Sequence, residues 1–388
     1  MTKIDDILGS CTRDELLAMT DYLGAPLRES APKNVIVSEL SSYLSESPLV
    51  WLNMLPENDL RLLKRLVDAG PDKRVLILRP DYPTVVEAVK IVCNDRDEDF
   101  DTVEVWLPEP MHRIVAPHIR RVISAKEKDG SFALERLVMG YMNAYGVVPL
   151  HTFVNLLFDR LGDSDEMVRL GSRVLSCPLM RLYQEMYRGE TYMVSPFVES
   201  VKEIMDYRRD SFKSLRKYAE GPESDHAGKA GDNAPFCAWG MDTPEGKALK
   251  EMLEDLGFSG EELQEAIHTV WIDSQFAVDD EATEVLFSVV TDRQDELGSF
   301  ELFKQCIDIV VDYANSVPKW LLKGHTSNET GLMKITVRVD ELIKEYNYDE
   351  PGLNLYKLGF AVRPVAPDAP CPCGSGLSYR FCHGKVLN

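Results

Sequence analysis

Cys371, Cys373, Cys382 and His383 crowd four soft or borderline metal donors into one short stretch near the end of this 388-residue chain. Zinc takes four such donors in a tetrahedron, with Zn–S near ~2.3 Å and Zn–N near ~2.0 Å. Pro372 fixes the backbone between the first two thiols, and Gly374 and Gly376 supply the freedom for a tight reversal toward the second pair. A peptide this short buries no core of its own, so coordination would supply its folding energy. The competing reading is a disulfide, but thiols one residue apart make strained disulfide partners. With all four positions filled by protein, no place is left for water or substrate. One structural Zn2+ is therefore expected, and no catalytic metal.

The spacing Cys-x-Cys-x8-Cys-His, with Gly374-Ser375-Gly376 and Tyr379 inside it, resembles the SEC-C motif, the zinc tail best known from the C-terminus of the SecA translocase. That resemblance implies a bacterial protein and the ligand set Cys371, Cys373, Cys382 and His383. In the translocase the module contacts a chaperone and the ribosome, and in many other bacterial proteins it is appended to unrelated domains. Leu377, Tyr379, Arg380 and Phe381, between the ligand pairs, are the expected partner-binding residues. Family members often carry several lysines beside the last ligands; this tail has Arg380 and Lys385 against Asp368.

A chain 44% hydrophobic can bury substantial cores, and its length suggests two or three domains. No stretch approaches a membrane span, so no membrane insertion is expected. Met1-Thr-Lys-Ile-Asp-Asp6 lacks a signal-peptide pattern, and Cys11, Cys93, Cys177, Cys237 and Cys306 are scattered singly, which together suggest a reducing, cytoplasmic setting. A net charge of −21 repels nucleic acid globally while leaving room for a local basic face.

The expected fold class is mainly α and multidomain, with a small α/β insertion, a winged-helix-like region and a C-terminal zinc knuckle. Residues 1–70 read as short helices. Thr12 and Glu15 form a capping box, Leu16, Leu17 and Leu23 a stripe, and Gly24 a helix stop; Val35, Val37, Leu40 and Leu44 mark a second helix from Lys33. A helix ending in Leu-Gly, an extended turn and a second helix is similar to the SAP or Rho N-terminal module, which often binds nucleic acid.

Residues 71–130 read as a small α/β segment, with strands at Arg74–Arg79 and Val103–Leu107 and a helix carrying Val85, Val86, Val89 and Val92. Asp95, Asp97, Asp99 and Asp101 mimic a calcium loop, but Phe100 and Trp106 stand where glycine and glutamate are needed, so a solvated turn is expected. Residues 131–218 present helical stripes at Leu134–Tyr145 and Phe153–Leu161, a third helix, and a hairpin of Met180–Met186 and Thr191–Ser195 about Arg188-Gly189-Glu190. Three helices and a two-stranded wing make the winged-helix order. Lys202, Arg208 and Arg209, alternating with acids, read as a solvated ion-paired face.

Residues 219–236 form a linker, 237–346 a helical bundle domain, 347–370 an extended connector, and 371–388 the zinc motif. Within the bundle, Thr243 and Ser259 are expected to cap helices, with further helices over 280–293, 299–315 and 339–346. Trp320 followed by Gly324-His325-Thr326 is similar to a Trp-then-Gly-His/Tyr-Thr segment of bacterial SEC-C proteins of unknown function.

No nucleotide-binding, dinucleotide-binding, metalloprotease or nucleophile-elbow motif is present, and enzymatic activity is not expected. Two readings follow. One is an interaction protein whose zinc knuckle docks a protein or ribonucleoprotein; the other is a nucleic-acid-binding regulator using the N-terminal module and the winged-helix-like region.

Overall fold

The structure, a computed structural model, describes residues 4–28, 30–78, 84–96, 102–161, 164–220, 238–278, 280–291, 300–336 and 377–378. The described part is mainly helical, with two small three-stranded sheets. It divides into two compact units. Unit 1 holds the described residues of Met1–Tyr141 and Val148–Pro196, and unit 2 those of Met142–Val147, Phe197–Ala230 and Phe236–Asn388.

Unit 1 begins with α1 (Ile4–Ser10), α2 (Arg13–Tyr22), α3 (Lys33–Glu46), α4 (Pro48–Met54) and α5 (Glu57–Ala69). The capping box forms: the Thr12 hydroxyl accepts from Glu15 N–H, and Glu15 accepts from Thr12 N–H. Gly24 adopts φ +63° at the α2 exit, as a left-handed stop requires. In α3 the buried stripe is Ile36, Leu40 and Leu44, while Val35 and Val37 are half-buried, because a 3.6-residue repeat centres on the middle residue of the Val-Ile-Val run.

Strands β1 (Val75–Leu78), β2 (Cys93–Arg96) and β3 (Thr102–Trp106) form an antiparallel sheet in the order β1-β3-β2, with α6 (Thr84–Ala88) between β1 and β2 in sequence. Its inner face carries Ile77, Val103 and Val105. Strand β2 had no sequence signal. Asp95 sits in it, ion-paired to Arg74 at 3.0 Å, while residues 97–101 lie outside the described residues. Helices α7 (Glu109–Val115) and α8 (Ile119–Lys128) follow.

Next come α9 (Ser131–Tyr145), β4 (Val147–Pro149), α10 (Leu150–Leu161), α11 (Asp165–Leu175), α12 (Pro178–Leu182), β5 (Gln184–Tyr187) and β6 (Glu190–Val194). The second sheet runs β4-β6-β5. The α9 stripe, Leu134, Leu137, Val138, Tyr141, Met142 and Tyr145, is buried. The hairpin forms with Tyr187 opposite Glu190, turning on Arg188 (φ +51°) and Gly189 (φ +83°), the two left-handed residues of a type I′ turn. The expected first strand from Met180 is displaced: Pro178 opens α12 as a first-turn proline, and pairing starts only at Gln184.

Unit 2 contains the C-terminal turn of α9, α13 (Val201–Asp210), α14 (Pro244–Asp255), α15 (Gly260–Phe276), α16 (Asp280–Leu286), α17 (Ser288–Thr291), α18 (Phe300–Ser316) and α19 (Ser327–Thr330). Thr243 caps α14 through Gly246 N–H, but Ser259 at the head of α15 makes no side-chain cap bond. The helix expected over 280–293 is broken at Phe287. Trp271 and Trp320 meet edge-to-face at 5.8 Å, with Phe276 on Trp320 and Phe197 on Trp271.

Two glycines allow this core to close. Gly146 (φ +66°) abuts the Trp320 ring, and a Cβ at Gly324 (φ +84°) would lie 2.5 Å from the Tyr145 ring. Gly146→Ala and Gly324→Ala are each expected to destabilise the protein by about 2 kcal/mol or more, from left-handed strain plus overpacking. Urea unfolding of each variant against the parent checks this.

Candidate functional site

Of the expected metal and partner residues, Cys371, Cys373, Tyr379, Arg380, Phe381, Cys382 and His383 lie outside the described residues. Leu377 lies within them and is 51% exposed. Among the described residues, no group of three or more His, Cys, Asp or Glu side chains is gathered as a metal site. Cys11, Cys177 and Cys306 are buried free thiols and Cys93 is half-buried. Burial pushes the Cys306 thiol up to about 11, which leaves it an inert packing residue. Three thiolates and an imidazole, chemically, remain the donor set that suits zinc.

The basic side chains of the two regions with nucleic-acid resemblances are largely occupied. Lys33 donates to Gly9 O at 2.8 Å, and Arg181 binds the Asp21 carboxylate at 2.6 Å. On α11, Arg173 pairs with Asp129 at 2.8 Å. Arg188, at the hairpin turn, stacks over Tyr187 at 5.1 Å, next to the 73%-exposed Met186.

The strongest electrostatics lie inside the units. In unit 1 the Lys126 ammonium, from α8, donates to Glu135 Oε1 and to Leu55 O, both at 2.6 Å. Glu135 Oε2 accepts from Glu57 N–H at 2.9 Å, satisfying the first N–H of α5. Glu57 in turn receives Arg61 and Arg136. Burial holds the Glu135 carboxyl above its ordinary range against the pull of Lys126. The two accepted bonds mark it as a carboxylate, since both of its oxygens face donors. Asp59, two residues after Glu57 on α5, is also buried.

In unit 2 the expected solvated face of α13 is overturned at one position. Lys202, Asp206 and Arg209 do form an exposed ion-paired row. Arg208 instead turns inward and is buried, donating to Tyr145 O, Val147 O and Trp320 O at 3.0, 2.7 and 2.5 Å. Its planar fork can bind several carbonyls at once, and those carbonyls at the end of α9 need donors. The 318–326 segment is a tight turn: Pro318 bridges Thr326, and Gly324 N–H reaches Lys319 O at 2.9 Å. His325 belongs to this turn, with its N–H on Leu322 O. Lys319 is fully buried, its Nζ donating to Ser274 O at 2.7 Å, and burial pushes its ammonium down to about 7.

Sequence reasoning did not find Asp59, Lys126, Glu135 or Lys319. A signal existed: Lys126 stands in register with Ile119, Val122 and Ile123, where an amphipathic helix should carry an apolar residue.

Among the described residues, no helix is long and apolar enough to cross a membrane. No family model and no solved structure matches the chain. A segment amounting to 23% of the chain is 32% identical over 100 residues to the protein translocase subunit SecA of Aromatoleum aromaticum. The match spans 10% of that subunit's length.

Two outcomes follow. Glu135→Gln strands a buried ammonium and is expected to cost about 3–5 kcal/mol, whereas Lys126→Met with Glu135→Leu together should cost much less. A double-mutant cycle by denaturant unfolding reads the difference. Lys319 is protonated in the unfolded chain up to about 10.5 but only to about 7 when folded, so stability rises with pH across that window. Relative to Lys319→Met, the parent should gain on the order of 2 kcal/mol between pH 7 and pH 9.

Proposed function

We propose that this chain is a bacterial zinc-dependent docking protein, in which Cys371, Cys373, Cys382 and His383 hold one structural Zn2+ in a SEC-C-type knuckle. The knuckle presents Leu377, Tyr379, Arg380 and Phe381 to a protein or ribonucleoprotein partner. The ligand spacing carries this reading. Support comes from the partial similarity to a SecA subunit and from the exposure of Leu377. The zinc acts by folding the loop, and the aromatic and arginine side chains between the ligand pairs act by contact. Thiolate ligands and free cysteines suit a reducing, cytoplasmic compartment.

The helical body is read as the scaffold that the knuckle addresses to its partner. The order α9-β4-α10-α11-α12-β5-β6, with a β4-β6-β5 sheet, supports a winged-helix-like reading within residues 131–218. The three antiparallel strands of residues 75–106 support the small α/β segment. A winged helix favours a second reading, a nucleic-acid-binding regulator. The engagement of Lys33, Arg173 and Arg181 by other groups of the chain weighs against it. Binding to random DNA or RNA that falls steeply with salt supports the second reading, and none at low salt removes it.

The purified reduced protein is expected to contain about one zinc per chain by mass spectrometry, and Cys371→Ser/Cys373→Ser to contain none. Thermal unfolding of the helical body should be the same in both proteins. A parent without zinc contradicts the reading.

A further inference from the structure

Asp59 occupies a position on α5 where the neighbouring turns bury Leu62, Leu63 and Leu66, and it is itself only 1% exposed. Its carboxyl accepts from the backbone N–H of Val86 in α6 and from its own N–H, while Oδ1 has no hydrogen-bond partner. The charged groups acting on it are Glu135 from α9 and Lys126 from α8, and these two are bonded to each other. Helices α2 and α12 also pack on α6; they bring Glu15, bonded to Thr12, and Arg181, paired with Asp21. An ionised carboxylate here would present one oxygen to no donor in a dry interior, at a cost well above that of a neutral acid.

We propose that Asp59 is a protonation-controlled latch: as a neutral acid it holds α6 against α5, and loss of its proton releases α6 to let water reach Oδ1. Of the two helices, α6 is the one that gives. It is five residues long and is held by buried Val85, Val86 and the adjoining Val89. Helix α5 is anchored through Glu57 to Arg61, Arg136 and Glu135. Burial carries the acid up to about 8 from an ordinary 3.8. The folded state therefore binds the extra proton between those values while the open state does not, and opening becomes easier as pH rises from about 4 toward 8.

Hydrogen exchange of the full chain, corrected for the intrinsic pH effect, tests this at pH 5.5 and 7.5. Protection of the 84–92 amides in the parent is expected to fall on the order of tenfold or more at the higher pH, and in Asp59→Asn to stay level. The same fall in both proteins, or none in the parent, overturns the latch. Should the variant not fold, carbon-13 carboxyl titration of the parent decides. An Asp59 midpoint near 8 supports the proposal, and one below about 5 overturns it.

Discussion

A charge taken out of water must be matched atom for atom, and each unit is organised round one that is. In unit 1 it is the Lys126–Glu135 pair. Three helices and the Leu55 carbonyl meet at it, and its outer oxygen fills the N-terminal demand of α5. Removing either partner alone would leave a bare charge between α8 and α9, so the apolar stripes of those helices close with the pair intact or with both partners replaced by apolar residues. In unit 2 the same demand falls on Arg208, whose fork collects the carbonyls of Tyr145, Val147 and Trp320. Trp320 can then lie against Gly146 and Trp271.

The sequence carries periodic and local signals well. The Thr12–Glu15 box, the Gly24 stop, the α9 stripe and the Arg188-Gly189 turn all rest on chemistry contained within a few residues, and all appear in the structure. What it carries poorly depends on distant partners. Strand β2, Cys-Asn-Asp-Arg, has no strand-like composition and exists because β3 offers it an edge. Arg208 reads like Arg209 beside it, yet one lies on the solvent side of α13 and the other a turn-phase away toward uncapped carbonyls. Ser259 has the right residue type for a cap without making the bond.

For the candidate site the balance is reversed. The proposed ligand set Cys371, Cys373, Cys382 and His383 is local in sequence and needs no tertiary context to be read. The buried ionisable groups that shape the body needed the fold to show their partners: a lysine in an apolar register, as Lys126 is, marks a buried position but not what it bonds. Body and tail thus contribute differently. In each unit the buried Lys126–Glu135 pair or Arg208 is met by partners on the chain, while the tail, on the proposed reading, would offer a small metal-folded surface with its contact residues between the ligands.

X-ray absorption at the zinc edge on the purified, reduced protein tests the central claim most directly. The account predicts a single zinc shell of three sulfurs near ~2.3 Å and one imidazole nitrogen near ~2.0 Å. A shell dominated by oxygen or nitrogen, or no bound zinc, would contradict it.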